Sequence, residues 1–208
     1  MTMLIVMATD NSIIMTADKR VTRTDGYGKV IKIVSDDYKK IKIIKGKYIV
    51  SFAGRTAIAE KAFKFIDEKI VSLEYDIHLF FKNAFQYGKA CFENSFPNIE
   101  PTSVFFLGYI KDDTSYLKGY SSDDDYKGMP ISDSIKVRAE SLVVENLLFN
   151  ETQNFLSTKI SSRPSFYQSN ENLSVLFSEA IKRMNDQMIG KTTYSVVLTS
   201  NGATELHN

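Results

Sequence analysis

Apolar spacing changes along this chain in blocks, and the order of the blocks limits its fold more than anything else: strands, two helices, strands, two helices, strands. Residues 2–8 and 12–17 are short runs of β-forming residues on either side of Asp10-Asn11, which predicts a hairpin. Asp25-Gly26 and Gly28 mark a loop. Residues 40–44 and 47–53 form two more runs around Gly46. Both faces of 48–53 are mainly apolar, as expected of a strand enclosed between layers. From residue 56 the period becomes helical, with Ile58, Ala62, Phe65, Ile66 and Ile70 on one face of 56–70. Asp76 is placed to cap a second helix that stops near Ser95, ahead of Pro97. Strand character returns over 103–110 and 115–120. Helices are predicted over 137–157 and 171–188, the second with Leu173, Leu176, Phe177, Ala180, Ile181 and Met184 on one face. A strand at 193–199, an Asn201-Gly202 turn and a short strand close the chain.

Blocks in this order predict α+β layers: two antiparallel sheets, each backed by helices, so that strands are buried on both faces. The 208 residues, 43% of them hydrophobic, suit one domain spanning 1–208. Lys and Arg number 26 against 25 Asp and Glu, a net charge of +1, and no basic excess points to nucleic acid. A lone cysteine, Cys91, forms no internal disulfide and sits in an apolar helical pattern, which reads as a small core residue in a reducing compartment. Met3 to Ala8 is too short for a signal-peptide core, and no run approaches the length of a membrane span. A cytoplasmic protein is expected. His78 and His207 stand apart, Asp112-Asp113 and Asp123 to Asp125 read as solvated loops, and no phosphate-binding glycine motif leads into a helix, so neither cofactor nor metal is expected.

The chemistry is suggested by position two. Removal of Met1 ahead of the small Thr2 would leave an amino-terminal threonine, which carries a nucleophile and a base on one residue. The hydroxyl is weak by itself, but an α-amine titrates near ~7.7–8.0, close to working pH. Three further residues follow in order. Asp18 ends the second strand, in Ala17-Asp18-Lys19-Arg20-Val21-Thr22; Lys40 starts the third, in Lys39-Lys40-Ile41; Gly54 ends the fourth, in Phe52-Ala53-Gly54-Arg55-Thr56-Ala57.

These segments resemble the proteasome β-subunit family of amino-terminal nucleophile hydrolases, most of all the bacterial ring protease that works with an unfoldase. The matching residues are Thr2, then Ala17, Asp18, Arg20 and Thr22, then the Lys39-Lys40 pair, then Phe52-Ala53-Gly54 and Thr56-Ala57. The clear likeness covers about the first third of the chain, and Asp186 near its end stands where the family has an aspartate beside the active site. The resemblance implies a four-layer αββα sandwich and a threonine-type peptidase assembled as a homo-oligomeric ring, fed unfolded protein by an ATP-dependent unfoldase. It implies Thr2 as nucleophile, Lys40 as the lysine beside it, Asp18 as the carboxylate holding that lysine, and the Gly54 N–H as oxyanion donor. Asp186 would support the amine, Thr22 would align an extended peptide, and Phe52 would line the side-chain pocket.

Each residue also has a plainer reading. Asp18 and Gly54 suit ordinary turns, Asp186 an exposed helix face, and Lys40 a solvated lysine-rich edge. Lys40 and Lys42 share a strand face, so periodicity does not choose between them, although spacing to Gly54 favours Lys40. Register supplies a geometric criterion: a two-residue turn at Asp10-Asn11 opposes Asp18 to Met3, off the Thr2 face, whereas one more loop residue brings it onto that face. The catalytic reading therefore predicts the longer loop. The chain also departs from the family. The segment between Asp18 and Lys40 is longer and carries Ser35-Asp36-Asp37; the amine-supporting Gly-Ser-Gly turn is missing, with Ser141 as a possible replacement; and Ile189-Gly190-Lys191 stand where small residues and a serine are usual. A catalytically silent scaffold or binding subunit, and a small-molecule amidase of the same fold, are the alternative readings.

Overall fold

The computed structural model describes residues 2–25, 29–70, 76–132, 135–139 and 145–207. Met1, the Gly26-Tyr27-Gly28 stretch and Ser141, all singled out from sequence, lie outside them. The first hairpin is β1 (Met3–Ala8) and β2 (Ser12–Asp18), followed by β3 (Val21–Thr24) and β4 (Val30–Ser35). Then come β5 (Ile41–Ile44), β6 (Tyr48–Gly54), α1 (Thr56–Lys69) and α2 (Ile77–Ser95). The next strands are β7 (Ser103–Lys111), β8 (Thr114–Ser121), β9 (Met129–Pro130) and β10 (Lys136–Ala139). α3 (Glu145–Ser162), α4 (Asn170–Arg183), β11 (Thr193–Thr199) and β12 (Gly202–Leu206) complete the order.

Among the described residues two five-stranded antiparallel sheets form, β10-β1-β2-β11-β12 and β5-β6-β7-β8-β9. Strand alternation divides their side chains cleanly. Leu4, Val6, Ile13 and Met15 of the first sheet meet Ile41, Ile49 and Phe106 of the second in a mainly apolar layer. Met3, Ile5 and Ile14 point the other way, onto Leu173, Phe177 and Ile181 of α4 and Leu156 of α3. Val50, Phe52, Phe105 and Leu107 face Ile58 and Ala62 of α1 and Phe81 and Phe85 of α2. The layers therefore run helix, sheet, sheet, helix: the four-layer αββα sandwich that the sequence implied.

Local chemistry sets the element ends. The Asp76 carboxylate accepts from the His78 and Leu79 amides at 2.9 and 3.1 Å, so the expected cap of α2 is present. At α4 the Ser169 hydroxyl accepts from Asn172 N–H at 3.2 Å. Its far end stops at Arg183, short of the expected 188, and the Lys191 ammonium turns back onto the carbonyls of Lys182 and Met184.

Three other expectations change. Residues 136–139 are a strand pairing with β1, not the start of a helix: Lys136-Val137-Arg138 alternates with period two and buries only Val137 among these three. No strand was expected over 21–24 or 30–35, yet β3 and β4 pair there as a two-stranded ribbon, which leaves Ile31 63% and Val34 59% exposed. The last hairpin turns one residue early, at Ser200-Asn201, because Thr199 pairs with Gly202.

Candidate active site

The ends of the central strands bring the sequence candidates to one edge of the sandwich. β1 starts beside the end of β2, so Thr2, the residue before β1, and Asp18, the last of β2, stand at the same end of the first sheet. Lys40 enters β5 of the second sheet, and its carbonyl accepts from Phe52 N–H at 3.2 Å, two residues before the end of β6 at Gly54. A contact across the sheets joins the two sets: Lys40 Nζ donates to Asp18 Oδ1 at 2.9 Å. The lysine side chain is 1% exposed and the carboxylate 0%.

Asp18 collects donors from three distant segments. Its Oδ1 accepts from Lys40 and from the Met3 amide at 2.8 Å, and its Oδ2 accepts from Arg20 N–H at 2.9 Å and Gly190 N–H at 3.1 Å. Four donors, one of them charged, offset the cost of enclosing the carboxylate. Burial pulls the Lys40 ammonium below its ordinary value, and the Asp18 charge and hydrogen bond oppose that shift. The amide bonded to Asp18 is that of Met3, joined directly to the Thr2 carbonyl, and Thr2 is itself 2% exposed. Thr2 is thus anchored one peptide bond from the oxygen that holds Lys40.

The hairpin register corrects the criterion drawn from sequence. Leu4 pairs with Ala17 and Ala8 with Ile13, closing the tight loop at Asp10-Asn11 rather than the longer one. Strict alternation then sends Asp18 off the Thr2 face. Alternation is a rule for strand interiors, however, and both residues stand at the strand ends. There the carboxylate turns back to the Met3 amide and across to Lys40.

The choice between the two lysines is made by their partners. Lys42 Nζ bonds to Asp67 Oδ2 of α1 at 2.8 Å and lies 5.6 Å from the Phe63 ring, away from Asp18. Gly54 has φ +107°, and a Cβ there would come within 2.5 Å of Thr102 O, so this corner admits glycine whatever else it does. Thr22 lies in the ribbon, opposite Ile33. Phe52 is 0% exposed among the rings of Tyr38, Phe63 and Phe105. The expected role as a pocket wall is not met in this conformation, because the strand turns the ring toward the helices. Tyr38 is the half-buried ring beside it, and burial with Glu60 close by pushes its hydroxyl up to about 12.

Asp186 is turned to its own loop: Oδ1 accepts from Met188 N–H at 2.7 Å and its carbonyl from Ile189 N–H at 3.2 Å. That turn buries Ile189 under α4 and sets the Gly190 amide on Asp18. The sequence reading gave no role to the Gly190 amide or to Arg20, whose guanidinium bonds to Gln187 O at 2.9 Å and Asp36 Oδ1 at 2.6 Å. It also missed Thr193, which opposes Asp18 in β11 and shares a 2.6 Å hydroxyl contact with Ser178 of α4. The Ala-Asp-x-Arg pattern was a signal for Arg20. A backbone donor such as Gly190 leaves none beyond the glycine.

No protein-family model and no curated protein matches the chain by sequence. Among solved structures it is similar to a mutant of Anbu from Hyphomicrobium sp. strain MC1, with a TM-score of 0.66 at 14% identity, over 100% of this chain and 87% of that one. The likeness is one of fold. Among the described residues, no helix is long and apolar enough to cross a membrane.

Proposed function

We propose that the chain, as one domain over 1–208, is a threonine-type endopeptidase subunit acting through Thr2 once Met1 is removed. The observation that carries this reading is the convergence of the Lys40 ammonium and the Met3 amide on Asp18 Oδ1. A charged lysine and a carboxylate are costly to bury, and the Met3 amide ties this pair to the residue that follows the candidate nucleophile, which supports a catalytic use. Thr2 Oγ1 attacks the peptide carbonyl carbon while its proton passes to the Thr2 α-amine, with Lys40 lowering the cost of the developing alkoxide. The Gly54 N–H takes the oxyanion. Collapse breaks the C–N bond, the amine returns the proton to the leaving nitrogen, and an ester to Thr2 remains. Water, losing a proton to the same amine, hydrolyses it.

Thr22 and the ribbon align an extended substrate. The active form is a homo-oligomeric cytoplasmic ring, supplied with unfolded chains by an ATP-dependent unfoldase. Asp186 acts at one remove, through the turn that sets Gly190. One observation favours the silent-scaffold reading instead: Asp186 spends its carboxylate on its own turn, and Ile189 is apolar where the family supports the amine.

A peptide epoxyketone decides between them, since it needs both the hydroxyl and a free α-amine on one residue. Intact-mass analysis first establishes that Met1 is gone. Incubation and peptide mapping are then expected to place the adduct on Thr2. A trimmed, assembled protein that stays unmodified would overturn the peptidase reading and leave the scaffold.

A further inference from the structure

The segment that delivers Lys40, residues 36–40, belongs to neither a helix nor a strand, yet each of its residues is tied to the first sheet or the turn beyond it. Asp36 holds Arg20 at 2.6 Å and its carbonyl accepts from Thr192 Oγ1 at 2.8 Å. Asp37 holds Lys19 at 2.7 Å, and the Tyr38 amide donates to Lys19 O at 3.0 Å. Lys40 holds Asp18. Lys39, between them, reaches the C-terminal strand: its Nζ donates to Glu205 Oε2 at 2.7 Å and lies 4.9 Å from the centre of the Tyr194 ring. The other Glu205 oxygen accepts from Tyr194 OH at 2.9 Å. Tyr194 is buried, so it fixes Glu205 against β11, and Glu205 fixes Lys39.

As a stabilising contact this pair counts for little. Its side chains are 50% and 36% exposed, and solvent screens an ion pair that open. Its position matters more. Lys39 is covalently next to Lys40, in a stretch outside any helix or strand where one bond, from the Phe52 amide to the Lys40 carbonyl, holds the Lys40 backbone to the second sheet, so freedom at Lys39 leaves Lys40 on that single tether. We propose that Glu205 is a positioning residue for the active site: through Lys39 it holds the segment that carries Lys40 onto Asp18. The catalytic meaning of this rests on the Thr2 peptidase reading; the mechanical part does not.

The test uses the full chain and the variants Glu205→Ala, Glu205→Gln and Lys39→Gln, with two readouts. The first is labelling of Lys40 by an amine-reactive ester under native conditions, followed by digestion and mass spectrometry. Lys40 is protected in the wild type and is expected to label about tenfold faster in Glu205→Ala and Lys39→Gln, through local opening without loss of the fold. Glu205→Gln keeps an acceptor for Tyr194 but not the charge, and is expected to lie between. The second is peptide turnover, where kcat is expected to fall about tenfold with KM little changed, as for an interaction that serves the transition state. Should Glu205→Ala unfold, the exposed Lys39→Gln carries the test. Unchanged labelling and unchanged kcat in a folded variant overturn the proposal, as does a lowered melting temperature with Lys40 still protected. If the wild type proves inactive, the peptidase reading fails, and the labelling still decides whether Glu205 holds this segment.

Discussion

Gly190 packs against Arg20 so closely that a Cβ on the glycine would stand 2.9 Å from the Arg20 Cβ. The contact lets the Gly190 amide reach Asp18 Oδ2 while the Arg20 amide donates to the same oxygen. Gly190→Ala is expected to push the 186–190 turn off the carboxylate and remove one charge-assisted hydrogen bond, worth ~1.5–3 kcal/mol. Urea titration of the purified variant checks the size. Wild-type stability would show that Arg20 can yield.

Lys40→Ala and Lys42→Ala should differ sharply. Removing Lys40 leaves Asp18 buried with backbone donors alone and is expected to cost up to ~3–5 kcal/mol and all turnover. Lys42 pairs with the exposed Asp67, so its removal should cost no more than ~1 kcal/mol and preserve activity. Full turnover in the Lys40 variant would require another residue beside Thr2.

Thr2→Ala is expected to abolish adduct formation and turnover while leaving the melting transition within a few degrees of the wild type, since only a hydroxyl and a methyl are lost. Retained peptidase activity after this substitution would place the nucleophile elsewhere.

At Gly54 two costs add. Alanine at φ +107° is strained by ~1–3 kcal/mol, and its Cβ would overlap Thr102 O. Gly54→Ala is expected to lower stability and shift the β6–α1 corner, which amide hydrogen exchange at Arg55 and Ile58 would report.

Acid should loosen the 36–40 segment before the fold is lost. Asp36 and Asp37 are held below the usual carboxylate range by hydrogen bonds from Arg20 and Lys19, and Glu205 by Lys39 and then Tyr194. Groups depressed in the fold stabilise it above their ordinary values, here 3.8 and 4.5, and that stability is lost as pH falls through the lower folded values. Hydrogen exchange of the Tyr38 and Lys40 amides is therefore expected to quicken, after correction for intrinsic rates, as pH drops below about 4. A flat profile down to global unfolding would refute this.

Much of the fold was legible because burial imposes a period. Ile58, Ala62 and Ile66 of α1 and Leu173, Phe177 and Ile181 of α4 sit where their spacing placed them, and Asp76 caps α2 as its side chain suits. What alternation could not supply was behaviour at strand ends, where Asp18 abandons the face its register assigns. Nor could it separate Lys40 from Lys42, since their partners, Asp18 and Asp67, come from different layers. Val137 read as helical because a four-residue edge strand is too short to establish a period. Gly190 and Glu205 were silent because their roles depend on contacts with residues 172 positions away in the first case and 166 in the second.

The two sheets are assembled from the chain in different ways. The second uses one unbroken stretch, β5 to β9, with α1 and α2 inside it. The first takes β1 and β2 from the beginning, β10 from well past the middle, and β11 and β12 from the last residues. During synthesis the second sheet can therefore close on its helices while the ribosome is still adding α3. The first must wait, with β1 and β2 lacking their neighbours on either side. Asp18 receives its donor from Gly190 only when the turn after α4 has emerged. A site divided between these sheets is therefore finished only after the strands and turn that follow α4 have joined the first sheet, long after the second sheet has all its strands.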